Sequence, residues 1–180
     1  MQIYTIGHSN HSKETFLDIL EEVSIKYVVD VRSMPGSRKF PHFNQDAMSA
    51  WLAGYKMEYH HLTKLGGRRN KSKEVADNLN AGWNNSSFHN YADYTLSEAF
   101  QEGIKALTTY GEAENTVYFC AESHPSQCHR LIISNWLAAH GWEVKHLLVQ
   151  NGELEIVPHE LGQWGAMPII EKDKTVVYPE

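Results

Sequence analysis

The feature that most constrains the fold is the alternation of short β-branched runs with segments of helical spacing. Residues 26–31 have the sequence KYVVDV and residues 116–120 have the sequence TVYFC. Such near-continuous apolar runs are typical of strands that are buried on both faces of a parallel sheet. Between them, apolar residues recur every three or four positions, as on one face of a helix. The alternation predicts an α/β fold: a mostly parallel sheet of five to six strands with helices on both faces.

Capping residues and turn signals locate the other elements. Ser12 can cap a helix that continues to about residue 23, and Asn44 can cap a second helix that ends at Gly54. The Asn-Gly pair at 151–152 is a strong hairpin signal, so the chain should return through residues 154–157 as a C-terminal hairpin extension. The remaining predicted elements are strands at residues 2–6, 55–59 and 144–149 and helices at residues 91–110 and 127–140.

Length and composition favour one domain in a reducing compartment. The 180 residues fit a single α/β domain, with a polar excursion at about residues 68–90 and an irregular tail at about residues 158–180. No apolar run approaches the ~20 residues of a membrane span, and no export signal is visible, so we expect a cytoplasmic protein without a membrane partner. Two cysteines are too few for a disulfide framework and are expected to be free thiols.

Polar or glycine-rich segments follow four of the predicted strands. In open α/β sheets ligands bind outside the carboxyl ends of the strands, so we expect these segments to surround one cavity. His8, Asp30 and Glu122 are candidate acids or bases there, although each could equally be a hydrogen-bonded structural residue. The candidates are Gly7, His8 and Ser9 after the first strand, Asp30, Arg32 and Ser33 after the second, Gly66, Gly67 and Arg68 after the third, and Cys120, Glu122, Cys128, His129 and Arg130 after the fourth.

The sequence Cys128-His129-Arg130 lies where a helix is predicted to begin. A helix N-terminus favours an anion and lowers the pKa of a thiol, so Cys128 is the candidate nucleophile. His129 could act as a base or orient the thiol, and Arg130 could bind a phosphate or carboxylate with two hydrogen bonds. Alternatively, Cys128 packs as a small apolar residue and Arg130 pairs with Glu122 or Asp30. Cys120, at the end of an apolar strand, is expected to be the less reactive thiol.

Two groups of basic residues predict a local positive field on a chain whose formal net charge is −6. Arginines bind phosphate oxygens in pairs, and glycines let the backbone approach an anion. These groups could bind a small phosphate-bearing ligand or nucleic acid, or they could be solvated loops. They comprise Arg32, Arg38 and Lys39 in one loop and Lys64, Arg68, Arg69, Lys71 and Lys73 in another.

The same strand-end motifs carry a resemblance to a known family. Ile6-Gly7-His8-Ser9, Asp30-Val31-Arg32-Ser33 and Leu65-Gly66-Gly67 precede the more specific element, Cys120-Ala121-Glu122 followed by Pro125 and Cys128-His129-Arg130. In order and spacing, over about residues 3–148, this pattern resembles the family known as domain of unknown function 488. The resemblance implies an α/β fold and a shared site, and it supplies no reaction.

The sequence therefore predicts an enzyme, a hydrolase or a transferase, with an anion-binding site at the carboxyl ends of the strands. Its ligand would be a nucleotide or another small phosphate-bearing molecule, and its chemical groups would be Cys128, His8, Asp30 and Glu122. One alternative is a zinc or iron site formed by Cys120, Cys128 and His129. The other is a non-catalytic nucleic-acid-binding module that uses the two basic loops.

Overall fold

The computed structural model describes residues 1–180 and contains a six-stranded α/β sheet, as the alternating pattern predicts. No helix is long and apolar enough to cross a membrane. The strands are β1 (Gln2–Gly7), β2 (Tyr27–Asp30), β3 (Glu58–His61), β4 (Thr116–Cys120), β5 (Glu143–Gln150), β6 (Glu153–Pro158), β7 (Ile169–Ile170) and β8 (Val176–Val177). The helices are α1 (Lys13–Glu22), α2 (Gln45–Ala53), α3 (Ser86–Tyr94), α4 (Glu98–Ala113) and α5 (Arg130–Ala139).

The main sheet has the strand order β3-β2-β4-β1-β5-β6. Its first five strands are parallel, and β6 returns antiparallel to β5 through the predicted Asn-Gly turn. Both turn residues, Asn151 and Gly152, have positive φ, which this kind of two-residue turn requires. The predicted hairpin extension and the predicted parallel sheet are both confirmed.

Helices cover both faces of the sheet because neighbouring residues of each buried strand point to opposite sides. Val117 and Phe119 of β4 pack in a cluster with α1 and α2, whereas Tyr118 and Cys120 pack in a cluster with α3, α4 and α5. The α1 helix begins where the sequence predicts, because the Ser12 hydroxyl accepts the backbone N–H of Thr15 at 3.0 Å.

The chain turns in opposite directions after the two central strands, which creates a crevice between their carboxyl ends. After β1 the chain crosses to β2 on one side, and after β4 it crosses to β5 on the other. Parallel α/β sheets bind ligands at such a switch point. Gly7 pairs with Cys120 and Asp30 pairs with Phe119, so the ends of β1, β4 and β2 lie side by side.

Two helices differ from the sequence prediction. The helix predicted over residues 91–110 is two helices, because the Ser97 hydroxyl accepts the backbone N–H of Phe100 and caps α4 as a new start. The helix predicted from residue 127 begins only at Arg130, after a short 3₁₀ turn at Pro125–Gln127. Cys128 and His129 consequently precede the first turn of α5.

The tail predicted to be irregular contains the β7–β8 hairpin and packs onto the domain through polar contacts. A buried chain of hydrogen bonds joins it to the sheet. The Thr5 hydroxyl donates to His146 Nδ1 at 2.7 Å, His146 Nε2 donates to His159 Nδ1 at 2.9 Å, and His159 Nε2 donates to Asn135 Oδ1 at 2.8 Å. Asn135 Nδ2 then donates to the Tyr178 hydroxyl at 3.2 Å. In this order each imidazole accepts a hydrogen bond at Nδ1 and donates one from Nε2, so both His146 and His159 must be neutral.

Candidate active site

A cavity of about 880 Å³ lies at the carboxyl ends of β1, β2 and β4, at the crevice described above. Its walls come from the loops after these strands and from two further segments, at residues 67–68 and 87–88. The predicted site residues that line it are His8, Ser9, Arg32, Ser33, Gly67, Arg68, Cys120, Glu122, Cys128 and His129. Four predicted site residues do not line it: Gly7, Asp30, Gly66 and Arg130.

Gly7 shapes the cavity without facing it. A β-carbon added at Gly7 would lie 1.7 Å from the carbonyl oxygen of Glu122, a separation that no side chain tolerates. The loops after β1 and β4 continue the ladder beyond the strands, because the backbone N–H of His8 donates to the Cys120 carbonyl and that of Ser9 to the Ala121 carbonyl, both at 2.9 Å. Gly7 is therefore the residue that lets the loop after β4 lie against β1.

The two cysteines meet at the cavity. The Sγ atoms of Cys120 and Cys128 are 2.8 Å apart, and both thiols are free. Cys120 lies at the end of β4, and Cys128 returns beside it after the 3₁₀ turn. The backbone N–H of Arg130 donates to Cys128 Sγ at 3.4 Å, so the first N–H group of α5 points at this sulfur.

The Arg130 guanidinium is a buried charge without an acidic partner. The residue is 0% exposed, and its Nη2 donates to the carbonyl oxygens of Glu122 and Ser123, each at 3.2 Å. Its Nε and Nη1 atoms have no hydrogen-bond partner. Arg130 does not line the cavity, and it forms no ion pair with Glu122 or Asp30, so its role as an anion ligand stays a prediction. Its two hydrogen bonds hold the backbone of the loop after β4.

The proximity of the two thiols and of Arg130 changes which cysteine is acidic. Burial alone raises the pKa of Cys120, but the hydrogen bond from the Cys128 thiol and the charge of Arg130 outweigh it and lower this pKa to about 7. Burial and the neighbouring Cys120 raise the pKa of Cys128. The sequence predicts the opposite order, because it could not show that the two sulfurs are in contact and that the Cys128 thiol donates to Cys120.

Asp30 and Arg32 form a closed ion pair under the cavity. The Asp30 carboxylate is fully buried and accepts from Arg32 three times: from the backbone N–H at 3.0 Å, Nε at 2.9 Å and Nη2 at 2.8 Å. The Tyr59 hydroxyl also donates to it. Because these donors occupy the carboxylate, Asp30 is a positioning residue here rather than a free base. Arg32 reaches the cavity wall, but its charge is already paired.

His8 is held as a neutral imidazole at the wall of the cavity. Its ring stacks on Phe43 with 4.5 Å between centroids, its Nδ1 donates to the Ser9 carbonyl at 2.9 Å, and Arg32 Nη1 lies 3.3 Å from its Nε2. Burial lowers the pKa of His8 to about 4, and the charge of Arg32 acts in the same direction. His8 can therefore accept a proton only if Arg32 moves.

His129 is also buried and neutral, and the double glycine packs against it. His129 Nε2 donates to the Val31 carbonyl at 2.7 Å, and burial lowers its pKa to about 4. A β-carbon at Gly67 would lie 2.4 Å from His129 Nδ1, and one at Gly66 would lie 2.6 Å from Ser33 Oγ. The double glycine is needed for close packing of this loop, which positions Arg68 at the rim.

Two basic residues without an ion pair are placed to bind an anion in the cavity. Arg68 and Lys39 are exposed and line the cavity. Arg69 instead lies over the Tyr94 ring at 3.8 Å, and its Nε and Nη2 donate to the carbonyl oxygens of Gly66 and Thr63. Lys64 pairs with Glu102 and Lys71 with Asp77, so the predicted cluster at 64–73 is largely engaged with the protein itself.

Several cavity residues have no counterpart in the sequence prediction. Phe40 and Phe88 supply apolar wall, and Ser37, Ser87 and Gln127 supply polar groups. Ser87 and Phe88 belong to α3, which begins within the segment predicted as a polar excursion. The one local signal for it is Asn85, whose side chain accepts the N–H groups of both residues as a helix cap.

No cluster in the structure brings together three or more His, Cys, Asp or Glu side chains that could hold a metal ion. Of the alternative metal set, Cys120 and Cys128 are adjacent, but the Nε2 of His129 is bonded to a backbone carbonyl. The metal alternative gains no support from this geometry.

Comparison with known families gives one match. The family model described as "Domain of unknown function DUF488" matches residues 12–137, a range that includes Asp30, the double glycine and the segment from Cys120 to Arg130. Neither a curated protein nor a solved structure matches the chain.

Proposed function

The chain belongs to the DUF488 family, whose description names no reaction, and we propose from the geometry of its cavity that it is an enzyme. Its ligand is a small anionic molecule, such as a nucleotide or another phosphate-bearing compound, and its nucleophile is the thiolate of the Cys120–Cys128 pair. The observation that carries this proposal is the placement of two thiols in contact at the switch-point cavity, beside a buried guanidinium that has no acidic partner.

The buried charge favours chemistry over packing. A buried, unpaired guanidinium is costly for stability, and its replacement by apolar side chains is often neutral or favourable. Arg130 offsets part of this cost when a thiolate forms nearby, because opposite charges attract strongly where water is excluded. Two cysteines that only filled space would not need a cation beside them.

The reaction follows from the order of the two thiols. The Cys120 thiolate forms a bond to an electrophilic atom of the ligand, and the bond from that atom to the leaving group breaks with its electron pair. The leaving group takes a proton from the Cys128 thiol. Water or a second substrate then attacks the intermediate, restores the Cys120 thiolate and returns a proton to Cys128. These steps fit a hydrolase or a transferase, and Arg68 and Lys39 would hold the anionic part of the ligand.

The nucleic-acid alternative is less well supported. Binding to a phosphate backbone uses several free lysines and arginines at once. Here Arg32 is paired with Asp30, Arg69 with backbone carbonyls, and Lys64 with Glu102. The remaining free cations at the cavity fit one small anion better than an extended polyanion.

Ligand binding and thiol reactivity together test the proposal. Phosphate, pyrophosphate and nucleotides should raise the melting temperature, because a ligand that binds only the folded state stabilises it. The same compounds should slow the alkylation of Cys120 by iodoacetamide. Arg68→Glu should abolish both effects, whereas Lys73→Glu, at an exposed residue outside the cavity, should retain them. The absence of any shift or protection at millimolar concentrations would argue against an anion site.

A further inference from the structure

We infer that Cys120 and Cys128 form a dithiol that reduces small anionic disulfides. This inference rests on the anion site and the Cys120 thiolate of the proposed function, and it assigns them a redox reaction on a disulfide whose carrier bears phosphate or carboxylate groups. Cys120 would attack the substrate, and Cys128 would resolve the mixed disulfide.

The distance between the two sulfurs is the first support. A disulfide bond needs about 2.05 Å between the sulfurs, so from 2.8 Å the bond can form after a small movement of the side chains. The loop between the cysteines is short and contains a 3₁₀ turn at Pro125–Gln127, which returns Cys128 to the end of β4. In the hydrolase or transferase scheme Cys128 is only a proton donor, whereas disulfide exchange uses the same sulfur as a second nucleophile, for which direct contact between the sulfurs is suited.

The surroundings of Cys120 are the second support. The Cys120 Sγ lies 3.7 Å from the Glu122 carbonyl oxygen, and the Arg130 guanidinium binds the same oxygen at 3.2 Å. The buried cation and Cys120 Sγ therefore contact the same carbonyl oxygen, and the Nε and Nη1 of Arg130 are free of other partners. A positive charge near a cysteine favours the thiolate, which is the form that attacks a disulfide.

The cavity supplies the third support, because it is large enough for more than one sulfur-bearing group. It measures about 880 Å³, and its two exposed cations, Arg68 and Lys39, both lie in loops that form its walls. The apolar wall at Phe40 and Phe88 can contact the carbon skeleton of a substrate. The site thus combines a reactive dithiol with selection for negative charge.

The proposed reaction is balanced in two half-reactions. The Cys120 thiolate attacks one sulfur of the substrate R–S–S–R, which forms a Cys120–S–S–R mixed disulfide and releases RS⁻. The released RS⁻ takes the proton of the Cys128 thiol, and the Cys128 thiolate then attacks Cys120 Sγ. The bond between Cys120 Sγ and the substrate sulfur breaks, the Cys120–Cys128 disulfide forms and a second RS⁻ leaves. The substrate gains two electrons and the dithiol loses two. A second dithiol, oxidised to its own disulfide, returns the pair to the reduced state.

Mass spectrometry of the full chain tests the reaction directly. The reduced protein, freed of reductant, is mixed with oxidised glutathione, which carries carboxylates, or with coenzyme A disulfide, which carries phosphates. The neutral 2-hydroxyethyl disulfide and the cationic cystamine serve as controls. We expect loss of two hydrogen masses and a Cys120–Cys128 linked peptide, with the two anionic disulfides reacting at least about tenfold faster than the controls. The faster of the two anionic substrates identifies the group that the site selects.

Single substitutions separate the two thiols. Cys128→Ser should trap a stable mixed disulfide on Cys120. If Cys128→Ser does not fold, Cys128→Ala is the second variant. Cys120→Ser should leave Cys128 nearly unreactive. Arg68→Glu should slow the reaction with anionic disulfides about tenfold and so remove their advantage over 2-hydroxyethyl disulfide. Arg38→Glu, in an exposed residue that does not line the cavity, is the matched control.

The outcomes distinguish this inference from the proposed function. If neither an internal nor a mixed disulfide forms, while the unfolded chain reacts at once, the dithiol inference is wrong. If the neutral and cationic disulfides react as fast as the anionic ones, the substrate class is wrong. If disulfides fail but iodoacetamide still labels Cys120 near neutral pH and anions protect it, the proposed function stands without the inference. If Cys120 also resists iodoacetamide, both fail.

Discussion

The α-carbon of Gly7 lies so close to the carbonyl oxygen of Glu122 that a β-carbon there would be 1.7 Å from it. This contact holds the loop that follows β4, and with it both thiols, against the end of β1. The same loop is fixed from the other side by the Arg130 guanidinium, which binds the carbonyl oxygens of Glu122 and Ser123. The position of the reactive loop therefore depends on a missing side chain and on a buried charge.

Gly7→Ala should disturb this loop. The backbone of β1 or of the loop has to shift, so we expect the free energy of unfolding to fall by about 1–3 kcal/mol, the usual range for overpacking. Alkylation of Cys120 should change with it. Gly36→Ala is the control, because nothing lies within 4 Å of a β-carbon at Gly36. Denaturant unfolding of both variants measures the difference, and equal stability would contradict the close contact.

Cys120 should be alkylated before Cys128 in the native protein. Its pKa of about 7 predicts that the rate rises with pH through neutrality and falls about tenfold for each pH unit well below 7. Cys128, whose pKa is raised, should react only after Cys120 or after unfolding. Iodoacetamide labelling between pH 5 and 9, quantified by peptide mass, gives the order. Faster labelling of Cys128 would reverse the assignment.

Arg130→Met should reduce the thiolate fraction of Cys120 strongly and leave the protein folded. The substitution deletes a buried charge that has no acidic partner, although it also leaves two loop carbonyls without a donor. Without this charge the pKa of Cys120 should rise, and labelling at pH 7 should slow at least about tenfold for each unit of the rise. Circular dichroism monitors folding in parallel, and Arg38→Met is the exposed control. Unchanged labelling would show that Arg130 has a structural role only.

Asp30→Asn should strongly destabilise the protein. The amide cannot neutralise Arg32, whose guanidinium donates twice to this buried carboxylate and once to the Phe43 carbonyl oxygen. Removal of one partner of a buried ion pair costs about 3–5 kcal/mol, so the melting temperature should fall markedly. Asp46→Asn, at a residue of α2 without an ion pair, is the control. A loss of less than about 1 kcal/mol in denaturant unfolding would contradict the structural role of Asp30.

The protein should lose stability as the pH falls below 6.5. Burial lowers the pKa of His146 to about 2 and that of His159 to about 4, whereas unfolded histidine is protonated near 6.5. Between these values the unfolded chain binds more protons, so the free energy of unfolding decreases by about 1.4 kcal/mol per pH unit for each such histidine. His159→Gln removes one such histidine, so it should reduce this slope by about 1.4 kcal/mol per pH unit. Melting curves from pH 7 to pH 4 test whether stability falls with pH. A melting temperature that does not change over this range would contradict the neutral state of His146 and His159.

The order and type of most elements could be predicted because they depend on local sequence. Ser12 caps α1 through its own side chain, the Asn-Gly turn sets the β5–β6 hairpin, and TVYFC forms the strand β4 without a shift. The helix predicted over residues 91–110 was wrong because one polar residue, Ser97, caps a new helix within a periodic pattern. The spacing of apolar residues shows which face of a helix is buried, but it does not show where the helical backbone hydrogen bonds end.

The sequence by itself determined which residues reach the carboxyl edge of the sheet, because strand ends follow from chain order and from the parallel arrangement. Only the tertiary structure decided what each of them does there. The sulfurs of Cys120 and Cys128 are in contact, Arg130 binds carbonyl oxygens of the loop after β4 instead of lining the cavity, and Asp30 pairs with Arg32. These roles depend on contacts between segments far apart in the chain. Burial and charge at those contacts decide the pKa values of the site residues and which hydrogen-bond donors are left without a partner. Residue types along the chain carry no record of such distances.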